Sequence, residues 1–193
     1  MLKRKHDFKP DRMGAGALSK LYLTRRQRLN LLRWVLYGAV ILLLSLVQDV
    51  ILCRVRIFGV TTNLVSAGIL LLSMMLQPDA GGVFALISSV LYYFSGAAPG
   101  PYAIVFLTGL GVLLNIFRYS YLRKGFGSAM LCAGAAMMIY ELLTFVVGLF
   151  LGHTTVARFA GFCITGGLSA AVMPLLYPLF VAIGKIGGES WRE

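Results

Sequence analysis

The chain has 193 residues, of which 59% are hydrophobic and 13% are charged, and its mean hydropathy is +0.82. Soluble domains average about 45–50% apolar and about 25% charged residues, so this composition excludes a soluble enzyme, a disordered chain and a repeat solenoid. It predicts an integral membrane protein.

A basic segment, residues 1–33, comes first. It holds ten of the 18 lysines and arginines but only two acids, which gives it a net charge of +8. No aromatic-rich soluble module accompanies this charge, so we expect no nucleic-acid partner. The segment is typical of a cytoplasmic anchor, and binding to the anionic inner leaflet is an equal alternative. The candidates for that lipid contact are Arg25, Arg26, Arg28 and Arg33.

Six apolar segments follow the basic segment. A bilayer core of about 30 Å takes about 20 helical residues per crossing. Backbone polar groups in lipid must be satisfied within each segment, and the alternating polarity of a membrane β-barrel is missing. The sequence therefore predicts an all-α bundle of about six transmembrane helices. The predicted spans are 34–53, 60–76, 82–98, 102–117, 128–152 and 159–184, followed by a short C-terminal tail over 185–193.

The third segment is the weakest of the six, and a re-entrant loop is the alternative to a full crossing. With six crossings, 15 basic residues lie inside and three lie outside, whereas a re-entrant third segment changes these counts to 11 and seven. The positive-inside rule therefore favours six crossings with both termini in the cytoplasm.

Two ionisable residues lie inside predicted spans, where the cost of burying a charge marks a candidate site. Glu141 falls near the middle of the fifth span, and Asp49 lies beside Gln48 near the end of the first. For Asp49 we favour an interfacial carboxylate that reaches water or pairs with Arg54 or Arg56. For Glu141 we favour a neutral acid that hydrogen bonds between helices. The alternative for Glu141 is a proton or ligand site.

Small residues spaced four apart mark faces by which helices approach closely. We expect these faces to pack within one chain rather than to form a dimer interface. The candidates are Ala129 and Ala133 in the fifth span, and Gly161, Thr165, Gly166 and Ala170 in the sixth.

Signatures of catalysis and of cofactor binding are missing from the sequence. It has no carboxylate pair at metal-binding spacing, no Gly-x-Ser-x-Gly elbow and no phosphate-binding glycine loop. Its three cysteines lack metal-ligand spacing. We therefore expect a protein that is not an enzyme and that holds no cofactor or metal.

Several stretches, taken in order, give the chain a resemblance to a known family. They are Leu46-Val47-Gln48, Arg56-Ile57-Phe58-Gly59-Val60, Pro78-Asp79-Ala80-Gly81-Gly82-Val83-Phe84-Ala85, Ser95-Gly96, Pro99-Gly100-Pro101-Tyr102-Ala103 and Tyr140-Glu141-Leu142-Leu143-Thr144. Through them, residues 26–184 resemble the bacterial rod shape-determining protein MreD family. The chain departs from the family pattern at Thr62-Asn63, where a Pro-Asp type pair is usual, and at Tyr92-Tyr93-Phe94, where an Asp is usual.

The resemblance implies a non-enzymatic scaffold of the cell-elongation machinery in the inner (cytoplasmic) membrane of a bacterium. Its implied partners are MreC, the actin-like MreB filament and elongation peptidoglycan synthases, in addition to the membrane lipids that the composition already predicts. The resemblance also implies a fold shared with the substrate-binding subunits of energy-coupling-factor vitamin transporters, which supplies the alternative function. Such a subunit needs an outer pocket with convergent polar groups. Because the predicted outer loops offer few, we favour the scaffold.

Overall fold

The computed structural model describes residues 25–55, 59–121 and 125–186. These residues form six α-helices and no sheet, which confirms the predicted all-α membrane bundle of about six helices. The helices are α1 (Arg25–Val47), α2 (Leu64–Met75), α3 (Pro78–Phe94), α4 (Tyr102–Tyr121), α5 (Phe126–Phe150) and α6 (Phe159–Ile186). A π-helical turn, Gln48–Leu52, continues α1, and a 3₁₀ turn, Val156–Arg158, leads into α6.

Four apolar helical segments within the described residues are long enough to cross a membrane. They are Arg28–Leu52, Tyr102–Tyr121, Phe126–Phe150 and Val156–Ile186. The helices α2 and α3 are shorter, with 12 and 17 residues. At a rise of 1.5 Å per residue, α2 is about 18 Å long, compared with a hydrocarbon core of about 30 Å.

The short helix α2 is the centre of the bundle. All 12 of its residues are buried, and it packs against each of the other five helices. Because protein rather than lipid surrounds it, its ends need not coincide with the membrane surfaces. The backbone groups left open at those ends nevertheless need hydrogen-bond partners from neighbouring helices.

Helix α4 supplies the partners at the C-terminal end of α2. Nη1 of Arg118 donates to the carbonyl oxygens of Met74 and Leu76, both at 3.2 Å. Nδ2 of Asn115 donates to the carbonyl oxygen of Ser73 at 2.6 Å. The arginine also places a positive charge at the negative end of the α2 dipole. Both side chains are buried, so they close the end of α2 inside the protein.

Helices α1 and α4 each extend past a predicted limit of their span, and the added part of each contains a buried arginine. The fourth span is predicted to end at residue 117, but α4 continues to Tyr121, and Arg118 within it is 7% exposed. Helix α1 begins at Arg25 rather than at residue 34. Arg33 within it is 7% exposed, and its guanidinium carbon lies 6.0 Å from the centroid of the Trp34 ring. Arg33 therefore packs into the bundle instead of lying on a leaflet surface.

The other candidate leaflet arginines have different positions. Arg28 is exposed near the start of α1. Arg25 and Arg26 belong to the same helix, but their side chains, like all of residues 1–24, lie outside the described residues.

The second and third helices both begin at capping positions that differ from the predicted span limits. Helix α2 begins at residue 64 rather than 60, because the Asn63 side chain accepts from the Ser66 N–H. Helix α3 begins at Pro78, four residues before the predicted start of the third span at residue 82. Proline at the first helical position is favourable, because its missing N–H would have no intrahelical partner there.

Helices α5 and α6 share an extensive interface at the predicted small residues. Ala129, Ala133 and Gly166 are buried. A Cβ atom added to Gly166 would lie 2.8 Å from Sδ of Met138, and one added to Gly134 would lie 3.7 Å from Cβ of Ala170. Helix α6 therefore approaches α5 closely within a single chain.

Candidate functional site

A polar cavity of about 710 Å³ opens at one end of the bundle. It lies among the C-terminal ends of α1, α3 and α5, the N-terminal ends of α2 and α6, and the link from α3 to α4. Its size is typical of small-molecule sites. The polar residues that line it are Gln48, Thr61, Thr62, Asn63, Tyr92, Tyr140, Glu141, Thr144, Arg158 and Thr165. We call this space the polar cavity, and the end of the bundle that holds it the cavity end.

Asn63 is the centre of the hydrogen bonds that surround the polar cavity. Its Oδ1 accepts from the N–H of Ser66 at 3.4 Å, which caps α2, and from the hydroxyl of Tyr92 at 3.1 Å. Its Nδ2 donates to Oε1 of Glu141 at 3.3 Å. One side chain thus joins the start of α2 to α3 and α5.

Two further side chains accept hydrogen bonds from backbone N–H groups at the N-terminal end of α2. Oε1 of Gln48 accepts from the N–H of Val65 at 2.9 Å. The N–H of Asn63 donates to Oγ of Ser169 on α6 at 2.8 Å. Gln48, which the sequence marked only as a polar residue within a span, is therefore a helix cap contributed from the π-helical turn after α1.

Glu141 is buried at the wall of the polar cavity, with 6% of its surface exposed. In the part of the chain that the structure describes, Asn63 is the side chain that hydrogen bonds to its carboxyl group, and no cationic side chain pairs with it. The expected hydrogen bond between helices thus runs to the residue that caps α2. Gly166 of α6 packs against the Glu141 methylenes, which keeps this carboxyl group away from lipid.

Tyr140 and Thr144 lie one helical turn apart on α5 and also line the polar cavity. They are 0% and 4% exposed, and the Tyr140 hydroxyl pairs with the Thr144 hydroxyl, with no further hydrogen-bond partner among the described residues. Because both hydroxyl oxygens are buried, this pair lies inside the wall of the cavity rather than facing its interior.

Asp49 does not line the polar cavity. It is half-buried in the π-helical turn, where its carbonyl oxygen accepts from the Cys53 thiol at 2.6 Å. Of its two expected partners, Arg54 is exposed and Arg56 lies outside the described residues.

The predicted packing residues divide between two roles. Gly161 and Thr165 line the polar cavity near the start of α6. Ala129, Ala133, Gly166 and Ala170 lie away from its lining, and three of the four are buried. Small residues in the first turns of α6 therefore leave room for the cavity, and those further along bring the two helices together.

Residues of the helices add to the few polar groups that the outer loops offer. Of the ten polar residues that line the cavity, six lie in α-helices or in the π-helical turn: Gln48, Tyr92, Tyr140, Glu141, Thr144 and Thr165. Tyrosine and threonine inside apolar spans look like ordinary packing residues in a sequence. The signal that was present is the i, i+4 spacing of Tyr140 and Thr144 around Glu141.

Together the fold and the cavity define a class: a helical membrane protein with a polar cavity at one end and a short helix buried at its centre. Among the described residues, no group of three His, Cys, Asp or Glu residues could hold a metal ion. Comparisons with protein-family models, with curated proteins and with solved structures found no match to this chain.

Proposed function

We propose that the chain is a non-enzymatic scaffold of the bacterial cell-elongation machinery, similar to MreD proteins, and that it acts in rod-shape maintenance and peptidoglycan synthesis. It lies in the cytoplasmic membrane with several crossings and with both termini in the cytoplasm. Its partners in this proposal are membrane lipids, MreC, MreB and elongation peptidoglycan synthases, and nucleic acid is not among them.

The observation that carries this proposal is the place of the family-like stretches in the bundle. Gln48, at the end of the first stretch, caps α2. The stretch beginning at Pro78 opens α3, where a Cβ on Gly81 would overlap the Asn115 side chain that closes α2. The stretch from Tyr140 to Thr144 forms a wall of the polar cavity. The resemblance thus rests on residues that organise the centre of the fold.

A scaffold role also suits the exposed surface of the described residues. The links between helices are short, so partners have to be contacted by helix faces and loop ends. Large apolar side chains cover the outer faces, including Leu113 (62% exposed), Leu131 (74%) and Leu175 (75%). Such faces accommodate lipid and partner helices alike.

The polar cavity supports a second candidate, the substrate-binding subunit of an energy-coupling-factor type transporter. A subunit of that class needs a small-molecule pocket with convergent polar groups, and the cavity has this size and lining. In this alternative the bundle binds a vitamin or another micronutrient and docks on an ATP-driven partner.

Affinity purification of the full chain from its host in mild detergent separates the two candidates. Recovery of MreC or elongation synthases supports the scaffold, whereas recovery of an ATPase with a coupling subunit supports the transporter subunit. Depletion of the protein gives a second measurement. Rounded or widened cells with normal micronutrient uptake are expected for the scaffold, and normal shape with failed uptake of one micronutrient would contradict it.

A further inference from the structure

The polar cavity contains one buried ionisable group. Glu141, at its wall, is 6% exposed, and its Oε1 accepts from Asn63, another residue of the lining. Among the described residues, the other charged group of the lining is Arg158, which is exposed at the rim. Ions in water screen an exposed charge much more than a buried one. Ionised Glu141 therefore gives the interior of the cavity a negative potential, which favours a bound cation.

The N-terminal end of α2 borders the cavity, and its N–H groups do not offset this preference. Helix N-termini bind anions through free N–H groups. Here the Val65 N–H donates to Oε1 of Gln48 at 2.9 Å, and the Ser66 N–H donates to Oδ1 of Asn63 at 3.4 Å. The Asn63 N–H donates to Oγ of Ser169 at 2.8 Å. Because side chains already use these donors, an anion in the cavity would meet Glu141 without them.

The size and the remaining lining of the cavity favour an organic cation over a metal ion. Its volume of about 710 Å³ is within the range of small-molecule sites. Apolar residues form part of its wall, namely Val60, Ala97, Pro99 and Phe162. Within the described ranges, no three His, Cys, Asp or Glu residues come together as metal ligands. A cation that also has an apolar part can use both kinds of lining.

We propose that the polar cavity binds a small, water-soluble organic amine in its protonated form. The ammonium group donates a charge-assisted hydrogen bond to the Glu141 carboxylate. The apolar part of the ligand packs against Val60, Pro99 and Phe162. This inference rests on the second candidate function, for which it names the class of ligand, and the scaffold proposal does not depend on it.

Charge-selective thiol reagents test the cavity without knowledge of its natural ligand. Thr165→Cys is introduced into the full chain after its native cysteines are replaced, and the protein is purified in detergent. Thr165 lines the cavity and precedes Gly166, which packs against the Glu141 methylenes. The cationic reagent is aminoethyl methanethiosulfonate and the anionic reagent is sulfonatoethyl methanethiosulfonate, both at about pH 8, where thiols react as thiolates. Thr155→Cys, exposed at the same end but outside the lining, is the control.

The measured quantity is the ratio of the cationic to the anionic reaction rate. We expect this ratio to be at least about tenfold higher at position 165 than at position 155, because a charged cleft concentrates counter-ions. Glu141→Gln should remove the difference while the thermal midpoint stays unchanged. Asp49→Asn changes an acid outside the lining and should preserve the difference. Equal ratios at the two positions, or a difference that survives Glu141→Gln, would overturn the proposal.

A second measurement tests the organic amine itself. Labelling at position 165 by the neutral reagent methyl methanethiosulfonate is followed with tryptamine, with indole-3-propionate or with sodium chloride, at equal concentrations. Tryptamine carries an ammonium group and indole-3-propionate a carboxylate on the same ring system. Tryptamine should slow the labelling, and the other two should not. Equal rates with tryptamine and indole-3-propionate would overturn the amine, and equal slowing by sodium chloride would overturn its organic part.

These measurements separate the ligand class from the transporter candidate. Recovery of an ATPase and a coupling subunit, without a preference of the cavity for the cationic reagent, would keep the transporter candidate and overturn the amine. A preference for the cationic reagent without those partners would support the amine site and contradict the transporter candidate.

Discussion

Tyr92 and Asn63 form a hydrogen-bonded pair inside the bundle. The Tyr92 hydroxyl donates to Asn63 Oδ1 at 3.1 Å, and Tyr92 is 1% exposed. A hydroxyl and a neutral amide thus join α3 to the start of α2, and Glu141 is the one acidic residue among the described residues that line the polar cavity.

Removing this hydroxyl tests the pair. Tyr92→Phe should destabilise the protein by about 1 kcal/mol, because Asn63 loses a donor inside the bundle. Tyr93→Phe is the control, since Tyr93 is 38% exposed on the next position of the same helix and should be nearly silent. Thermal unfolding of both variants in detergent measures the difference. A loss of the same size in both would show that the hydroxyl at position 92 has no special role.

Glu141 gives a second prediction at the residue scale. Glu141→Gln keeps an oxygen that can accept from Asn63 Nδ2, so thermal stability in lipid-free detergent should not change. Glu141→Leu leaves that amide without its acceptor and should cost about 1–3 kcal/mol, with the lower end favoured because hydrogen bonds between membrane helices average about 0.6 kcal/mol. Leu131→Ala, at an exposed position of the same helix, serves as the control. Equal destabilisation by the Gln and Leu variants would contradict this role.

At the scale of elements, the closure of α2 by α4 lets a 12-residue helix end inside the protein. Arg118→Gln should cost about 1.5–3 kcal/mol, the range for hydrogen bonds to charged groups, because the Met74 and Leu76 carbonyls lose a cationic donor. Arg28→Gln changes an exposed arginine of α1 and should have little effect. The midpoint of thermal unfolding distinguishes them. Equal midpoints would mean that Arg118 is dispensable for the end of α2.

Two glycines, Gly81 in α3 and Gly109 in α4, form a matched pair for mutation. A Cβ at Gly81 would overlap the Asn115 side chain and lie 2.6 Å from the Ser73 carbonyl oxygen, whereas one at Gly109 would meet nothing within 4 Å. Gly81→Ala should therefore lower stability, and Gly109→Ala should be neutral or raise it by up to about 1 kcal/mol, since alanine favours helix. Folded yield and thermal midpoint check both. A stable Gly81→Ala variant would contradict the close approach.

The same helices show how much of the fold could be predicted from the sequence. The long apolar runs predicted α4, α5 and α6 within a few residues, because lipid requires such runs. The burial of α2 was not predictable, since a helix surrounded by protein and one surrounded by lipid have the same apolar composition. The roles of Arg118 and Gln48 as caps of α2 were not predictable for a related reason. In a sequence, charged and polar side chains usually indicate the end of the helix that contains them. Here these two side chains hydrogen bond to the ends of another helix, α2, and only the tertiary packing shows this.

For the whole molecule, charge in the sequence predicts an orientation. Helix α1 begins, and α2, α4 and α6 end, on the side opposite the polar cavity. The segments predicted to lie inside hold 15 basic residues, and leaving out the buried Arg33 and Arg118 still gives 13 against three outside. From the positive-inside rule we expect the polar cavity to face away from the cytoplasm. In that orientation, ligands from outside the cell or from the outer leaflet would reach it.

Cysteine labelling of intact cells tests this orientation. The three native cysteines are replaced first, because Cys53 is exposed at the cavity end. A membrane-impermeant maleimide should then label Pro99→Cys and Thr155→Cys, which are exposed at the cavity end, and should label Tyr121→Cys, exposed at the opposite end, only after the cells are opened. The reverse pattern would place the polar cavity in the cytoplasm. Labelling of all three positions from outside would contradict a bundle in which α4 crosses the membrane.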